Sequence, residues 1–280
     1  MINDEILYAV ADRIATITFN RPEVRNAFGD TTRDNLLLLL EQAEADDEVH
    51  CVVLTGAGKS FAAGGDVKGM QDLQLAEDTQ VLVRRIQVAA RVIKLMRRMT
   101  TPVIAAVNGP AAGGAMNLAL ACDIRYASDS AFFAESFVKI GLVPDWGGHY
   151  FLTRIVGTSR AMELMMLGER IQAADALRLG LVNEVFPAAT FHEQVRARAL
   201  SLAAGPRDAI ATIKRGIRSG ETGSLSDTLD FEEAAQKEAF LSADAREGVA
   251  AFVQKRAPKF GTETKAFDSR GREPREQSPL

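Results

Sequence analysis

Cysteine and histidine are scarce in this chain of 280 residues, which holds two cysteines and three histidines. Both cysteines, Cys51 and Cys122, lie in apolar, strand-like segments. We therefore expect two buried thiols rather than a single structural disulfide. The three histidines lack the spacing of metal ligands, so the sequence predicts no metal site.

Long apolar runs and a large net charge are also missing. The longest run of leucines covers only residues 36–40, whereas a membrane span needs roughly 18 apolar residues. The first ten residues carry Asp4 and Glu5 and no basic region, which argues against a secretory signal. The net charge of −4 gives no general attraction to nucleic acid or acidic membranes. We expect a soluble, cytoplasmic protein with neither of those partners.

The chain does contain the pattern of an α/β protein, with 47% hydrophobic and 25% charged residues. Continuous apolar segments at 51–55 and 103–107 are separated by a helical pattern at 78–99. Such an alternation is typical of a parallel sheet covered on both faces. From residue 148 onward the pattern is almost entirely helical. Residues 257–280 are polar, and we expect them to form a mobile tail.

Two loops of small residues follow those two apolar strands, at residues 60–67 and 108–117. Both lie at carboxyl ends of strands, where open α/β sheets bind ligands. Residues without side chains let backbone N–H groups approach a ligand, and a helix that begins at Gly114 adds its positive dipole end. Two such donors on one oxygen would form an oxyanion hole, each worth about 2.7–4 kcal/mol. Either loop alone also fits an ordinary tight turn, and neither matches a phosphate-binding fingerprint.

Taken together, six motifs in this order and spacing resemble the crotonase superfamily, the enoyl-CoA hydratase/isomerase family. The resemblance covers about residues 5–260. The motifs are residues 20–27 (NRPEVRNA), 61–66 (FAAGGD), 102–109 (PVIAAVNG), 119–123 (ALACD), 141–148 (GLVPDWGG) and 173–182 (AADALRLGLV).

The resemblance implies a spiral of ββα units with a helical C-terminal region. Residues 1–200 would form the spiral core, 201–256 a helical trimerisation region and 257–280 the tail. The assembly would be a homotrimer or a dimer of trimers. The substrate would be an acyl-CoA thioester, with no cofactor beyond the coenzyme A that the substrate carries.

The same resemblance implies a set of binding residues. The backbone of Gly65 and Gly114 would donate hydrogen bonds to the thioester oxygen. Arg25 would contact the 3′-phosphate of CoA. An exposed arginine on a turn with no role in binding is an equally good interpretation of this residue. Phe252 and Lys255 would reach a CoA ligand, in the same or a neighbouring subunit. Adenine and pantetheine would lie along Arg25, Ala27, Ala63, Asp66 and Val67.

The chain departs from the family's hydratases at both of their catalytic glutamates. These fall on Asn117 and Phe137. Asparagine exchanges no proton near neutral pH, and phenylalanine cannot hold water. Glu135 is two residues out of register, and we expect its side chain to point elsewhere.

A different carboxylate, Asp145, occupies the position where isomerases and dehalogenases of the superfamily carry a functional aspartate. There it serves as a proton carrier or a nucleophile. The apolar neighbours Phe137 and Trp146 are expected to raise its pKa above the usual value of about 3.9. Without the resemblance, Asp145 would be read as the N-cap of the following helix. Trp146 is expected to form a pocket wall, and Asn117 either orients the acyl group or is a spectator.

The sequence thus predicts an acyl-CoA isomerase that converts 3-enoyl-CoA to 2-enoyl-CoA or rearranges a ring-epoxide thioester. Residues 137–154 are especially similar to the isomerases of phenylacetate degradation. One alternative is a 2-enoyl-CoA hydratase with an unorthodox water site. Another is a non-catalytic acyl-CoA binder. RNA binding, found among some relatives, is disfavoured by the acidic residues 46–48.

Overall fold

The centre of the fold is a six-stranded sheet with the strand order β1-β2-β3-β4-β6-β9. The computed structural model describes residues 4–261. Strands β1 and β2 are antiparallel, and every other neighbouring pair in this sheet is parallel. The strands of this sheet are β1 (Ile6–Ala11), β2 (Ile14–Phe19), β3 (Cys51–Gly56), β4 (Val103–Val107), β6 (Ile124–Ser128) and β9 (Glu184–Phe186).

A smaller sheet of three short strands lies beside the central one. It has the order β5-β7-β8, with β5 (Ala111–Ala112), β7 (Phe132–Ala134) and β8 (Ile171–Gln172). Its strands have two or three residues, too few for an alternating pattern to show in the sequence. From residue 148 onward the chain is almost entirely helical, as predicted, and the short strands β8 and β9 lie in the intervals between helices.

Helices cover both faces of the central sheet. On β3, Val52 and Leu54 belong to the core that includes α1 and α3, whereas Cys51 and Val53 pack with α8. Both cysteines are buried free thiols, as predicted. The helices are α1 (Asp30–Ala45), α2 (Val67–Leu75), α3 (Thr79–Arg98), α4 (Gly114–Ala121), α5 (Gly148–Val156), α6 (Thr158–Leu167), α7 (Ala173–Arg178), α8 (Phe191–Ala203), α9 (Arg207–Gly220), α10 (Leu225–Phe240) and α11 (Ala243–Val253).

The last three helices are joined to the core through α9. The Lys214 ammonium lies 2.7 Å from the Asp123 carboxylate and donates a hydrogen bond to the Thr101 carbonyl at 2.8 Å. Arg218 pairs with the same carboxylate. Within residues 4–261 no helix is long and apolar enough to cross a bilayer. Most of the expected tail, residues 262–280, lies outside the described residues.

Candidate active site

The two small-residue loops run side by side and are joined by backbone hydrogen bonds. The amides of Phe61 and Ala62 donate to the Pro110 carbonyl at 3.1 and 3.2 Å, and the Ala112 amide donates to Ala62 at 3.1 Å. At Gly64, which has a φ of 87°, a Cβ atom would lie 2.6 Å from the Ala112 oxygen and 3.4 Å from the Gly114 nitrogen. Only glycine permits both this conformation and this close approach.

Gly65 and Gly114 are consequently brought to neighbouring positions with free amides. Within residues 4–261, neither N–H donates to a backbone carbonyl. Gly114 is the first residue of α4, so its amide has no partner inside the helix. Two adjacent free donors beside a helix N-terminus form an arrangement suited to a developing oxyanion.

Asp145 lies next to Gly114, at the turn that precedes α5. Its Oδ1 atom is 3.4 Å from the place where a Cβ on Gly114 would stand. The N-cap of α5 is Gly147, without a side-chain capping bond, so the alternative role of Asp145 as an N-cap is wrong. Its Oδ1 is buried and receives no hydrogen bond from the described residues. Burial raises the pKa of Asp145 to about 6, and the positive charge of Arg33 opposes that rise.

Trp146 forms the wall behind Gly114. The indole is buried, and its ring centroid lies 5.3 Å from that of Phe28. A Cβ on Gly114 would lie 2.6 Å from the Trp146 Cδ1 atom. Phe137 is half-buried, and its ring lies 3.6 Å from the place of a Cβ on Gly113. Two large apolar side chains therefore lie close to the candidate oxyanion hole.

Asn117 is fully buried and holds the turn that carries Asp145. Its Nδ2 atom donates to the backbone carbonyl of Asp145 at 3.0 Å. A Cβ on Gly148 would overlap the Asn117 amide, so the turn packs directly on this side chain. The arrangement favours a supporting role for Asn117 over that of a spectator.

Glu135 does not point elsewhere, which corrects the expectation drawn from its register. The residue is 1% exposed, and its Oε2 atom lies 3.5 Å from Asn117 Nδ2. Its Oε1 atom receives no hydrogen bond from the described residues. Burial raises the pKa of Glu135 to about 7, and the charge of Asp145 adds to that rise. The Asn117 amide thus contacts the Glu135 carboxyl group and the backbone of the turn that carries Asp145.

Sequence reasoning also missed Arg33, whose guanidinium influences Asp145 electrostatically. The signal was its position on α1, because Arg33 precedes Leu36 and Leu37 by three and four residues and so shares their buried face. A cation on the apolar face of an amphipathic helix is unusual enough to mark a candidate site residue.

Residues expected to bind CoA lie along two touching segments. The Ala63 amide donates to the Arg25 carbonyl at 2.9 Å. Arg25 is exposed in a left-handed conformation, and Ala27 is buried. The Asp66 carboxylate caps α2 by accepting from the Gly69 amide at 3.2 Å, while Val67 is exposed. Their contacts with CoA stay a prediction.

Two residues near the C-terminus were also expected to reach CoA. Phe252, in α11, is 86% exposed, and Lys255 follows that helix as an exposed residue with a φ of 54°. Both side chains are open to contact from outside the chain, and their role at a CoA ligand also stays a prediction.

Comparison with known proteins places this chain in one family. The model of the enoyl-CoA hydratase/isomerase family matches residues 10–263, and the chain belongs to that family. A solved structure of an enoyl-CoA hydratase from Polaromonas sp. JS666 is similar, with a TM-score of 0.87 and 36% identity over 91% of this chain and 99% of that one. The crotonase fold expected from the motifs is thereby confirmed.

Two curated relatives that are equally similar to this chain are named for different reactions. The chain is 40% identical to the 1,2-epoxyphenylacetyl-CoA isomerase of Escherichia coli, over 91% of this chain and 97% of the relative. It is also 40% identical to a probable enoyl-CoA hydratase of Rhodobacter capsulatus, with the same coverage. The trans-2-decenoyl-[acyl-carrier-protein] isomerase of Streptococcus mutans is 36% identical, over 91% and 97%. Sequence identity alone therefore does not distinguish a hydratase from an isomerase.

Proposed function

We propose that this protein is an acyl-CoA isomerase that moves a carbon–carbon double bond, with Asp145 as the proton carrier. The observation that carries the proposal is the placement of one partly accessible carboxylate beside the free amides of Gly65 and Gly114. The two positions at which the family's hydratases hold glutamate are Asn117 and Phe137. Neither of those side chains can transfer a proton to or from water.

The proposed reaction is a 1,3 proton transfer. The thioester oxygen of a 3-enoyl-CoA accepts hydrogen bonds from Gly65 and Gly114. The Asp145 carboxylate removes a proton from C2, and the resulting dienolate is stabilised by the two amides. Asp145 then returns a proton to C4, which leaves the double bond between C2 and C3 and the carboxylate regenerated. Protons and backbone amides suffice for these steps, so the proposal needs no metal or redox cofactor.

Incubation of a 3-enoyl-CoA with the protein in heavy water tests this function. We expect a conjugated 2-enoyl product of unchanged skeleton with deuterium at C4, detected by mass spectrometry, because the proton on Asp145 exchanges in part with solvent before it is returned. A product heavier by one water would instead identify a hydratase. An unchanged substrate in the presence of measurable acyl-CoA binding would contradict both activities for that acyl group.

Hydratase activity is the second candidate, and Glu135 is the observation that favours it. Its carboxyl group interacts electrostatically with that of Asp145, and two such groups could hold and activate a water as a general acid–base pair. In the proposed isomerase, Glu135 has a supporting role instead. Its raised pKa and buried position favour a neutral carboxyl that supports Asn117 without entering the reaction.

Substitution of Glu135 by glutamine separates the two activities. Glutamine has the shape of the neutral carboxylic acid, so we expect isomerase kcat at pH 6 to fall by less than about tenfold, the effect of one altered hydrogen bond. Loss of hydration of crotonyl-CoA together with loss of isomerisation, at unchanged thermal stability, would assign Glu135 to the chemistry and favour the hydratase.

We also infer the homotrimer or dimer of trimers that the family resemblance implies. Large apolar side chains are exposed on the C-terminal helices, which supports their burial between subunits. These are Ile213, Ile217, Phe240, Leu241, Phe252 and Val253. A role in the degradation of phenylacetate or fatty acids would follow from the acyl group that the site accepts.

A further inference from the structure

Arg33 is a buried cation whose charge has no ion-pair partner in the described chain. The residue is 6% exposed. Its Nη1 atom donates to the backbone carbonyls of Phe28 and Gly29 at 3.0 and 2.9 Å. None of the salt bridges within residues 4–261 includes Arg33. Because a guanidinium stays protonated in proteins, the fold has buried a charge at considerable cost.

The carboxylates closest in sequence do not offset this charge directly. Asp30 pairs with Arg85, and Asp34 pairs with Arg84 at 2.9 Å. Both acids are thus turned towards arginines of α3. Burial lowers the pKa of Arg33, and Arg85 adds to that effect, whereas the charges of Asp145, Asp30 and Asp34 oppose it, with Asp145 first among them. Asp145 is therefore the carboxylate of the candidate site that partly balances Arg33.

The free edge of the guanidinium lies beside the oxyanion hole. Nη2 is 3.7 Å from the place of a Cβ on Gly65. Phe28, whose carbonyl accepts a hydrogen bond from Arg33, forms a β-bridge with Gly65. Within residues 4–261, the Nη2 and Nε atoms of Arg33 donate no hydrogen bond to a protein acceptor. These N–H groups are oriented by the two bonds of Nη1 and remain available to a ligand.

We propose that Arg33 is a specificity residue of the acyl site, and that its free N–H groups bind a neutral oxygen acceptor on the acyl group of the substrate. This inference rests on the site of the proposed function and names the class of acyl group that the site takes. A neutral oxygen, such as a carbonyl or ether, fits better than a carboxylate, because the ionised Asp145 already balances the cation and would repel a second anion.

The chemical reason is that an unpaired donor penalises a ligand without an acceptor more than it penalises a ligand that has one. A site that holds a buried donor without a partner discriminates strongly against a ligand that lacks the matching acceptor. An unsubstituted hydrocarbon chain beside Arg33 would leave those N–H groups without a partner and without water. An oxygen at the corresponding carbon would accept a charge-assisted hydrogen bond, which is stronger than a neutral one.

Calorimetric binding of matched, unreactive ligands tests the proposal. The ligands are saturated acyl-CoA thioesters of equal length that differ only in the replacement of one methylene by a carbonyl, at C4, C5 or C6 in turn. We expect at least one carbonyl ligand to bind the wild-type protein about tenfold to 100-fold more tightly than its hydrocarbon counterpart, the size of a hydrogen bond to a charged group.

Two substitutions of Arg33 and one control substitution show whether Arg33 is responsible. Arg33→Met is expected to lose the preference, Arg33→Lys to keep part of it, and the surface control Arg84→Met to keep all of it. Equal or tighter binding of the hydrocarbon ligand at all three positions would overturn the proposal, and so would a preference that survives in Arg33→Met. If Arg33→Met does not fold, the wild-type comparison and Arg33→Lys still decide. Because these ligands do not react, the result is independent of the heavy-water test of isomerase activity.

Discussion

Replacement of Asp145 by asparagine is expected to lower kcat for double-bond isomerisation by about 10²- to 10⁴-fold, the usual contribution of a general acid–base group. Asparagine keeps the shape of the side chain and removes its ability to carry a proton. The Asp145 backbone carbonyl, which accepts from Asn117, is unchanged, so the turn should persist. Steady-state kinetics with a 3-enoyl-CoA measure the loss, and affinity for a saturated acyl-CoA should change by less than about threefold.

The pH profile supplies the control for this variant. Asp145 must be ionised to remove a proton, and its pKa is raised to about 6. In the wild-type protein, kcat/KM should therefore decline as the pH falls through about 6. The residual activity of Asp145→Asn should lack that decline. A variant with wild-type kcat, or with the same acid limb, would assign the proton transfer to another group.

Substitution of Gly114 by alanine is expected to have the second-largest effect. The new Cβ would lie 2.6 Å from Trp146 Cδ1 and 2.8 Å from Trp146 Nε1, so the indole or the backbone of α4 must move. Either displacement shifts the Gly114 amide relative to the thioester oxygen. We expect kcat to fall about 10²- to 10³-fold, the cost of losing one oxyanion donor.

Gly248→Ala is the matched control for that substitution. Gly248 lies within α11, and a Cβ there would meet only the Phe260 ring at 3.5 Å, an ordinary contact. Alanine also has the higher helix propensity. We expect wild-type kcat and equal or slightly higher thermal stability. Full activity of Gly114→Ala, with the variant folded, would contradict the assignment of its amide to the oxyanion hole.

Much of the secondary structure was predictable because its signals are local. The buried strands β3 and β4 appear in the sequence as continuous apolar runs. The hairpin between β1 and β2 turns at Asp12 and Arg13, both with positive φ, as a two-residue hairpin requires. By contrast, α2 follows a loop of small residues and shares little of the apolar periodicity that marked α3. The three strands of the second sheet are too short to show a pattern of their own, and they form only by pairing with one another.

The sequence by itself determined the family, most of the central sheet, and the positions of Gly65, Gly114 and Asp145. Their signals are motifs and short-range patterns, which need no knowledge of distant contacts. Tertiary structure alone decided that Glu135 reaches Asn117 and that Arg33 reaches Gly65, because both depend on how separate elements pack. It also decided the raised pKa values of the Asp145 and Glu135 carboxyl groups. Each pKa follows from burial and neighbouring charge, which are properties of the folded chain.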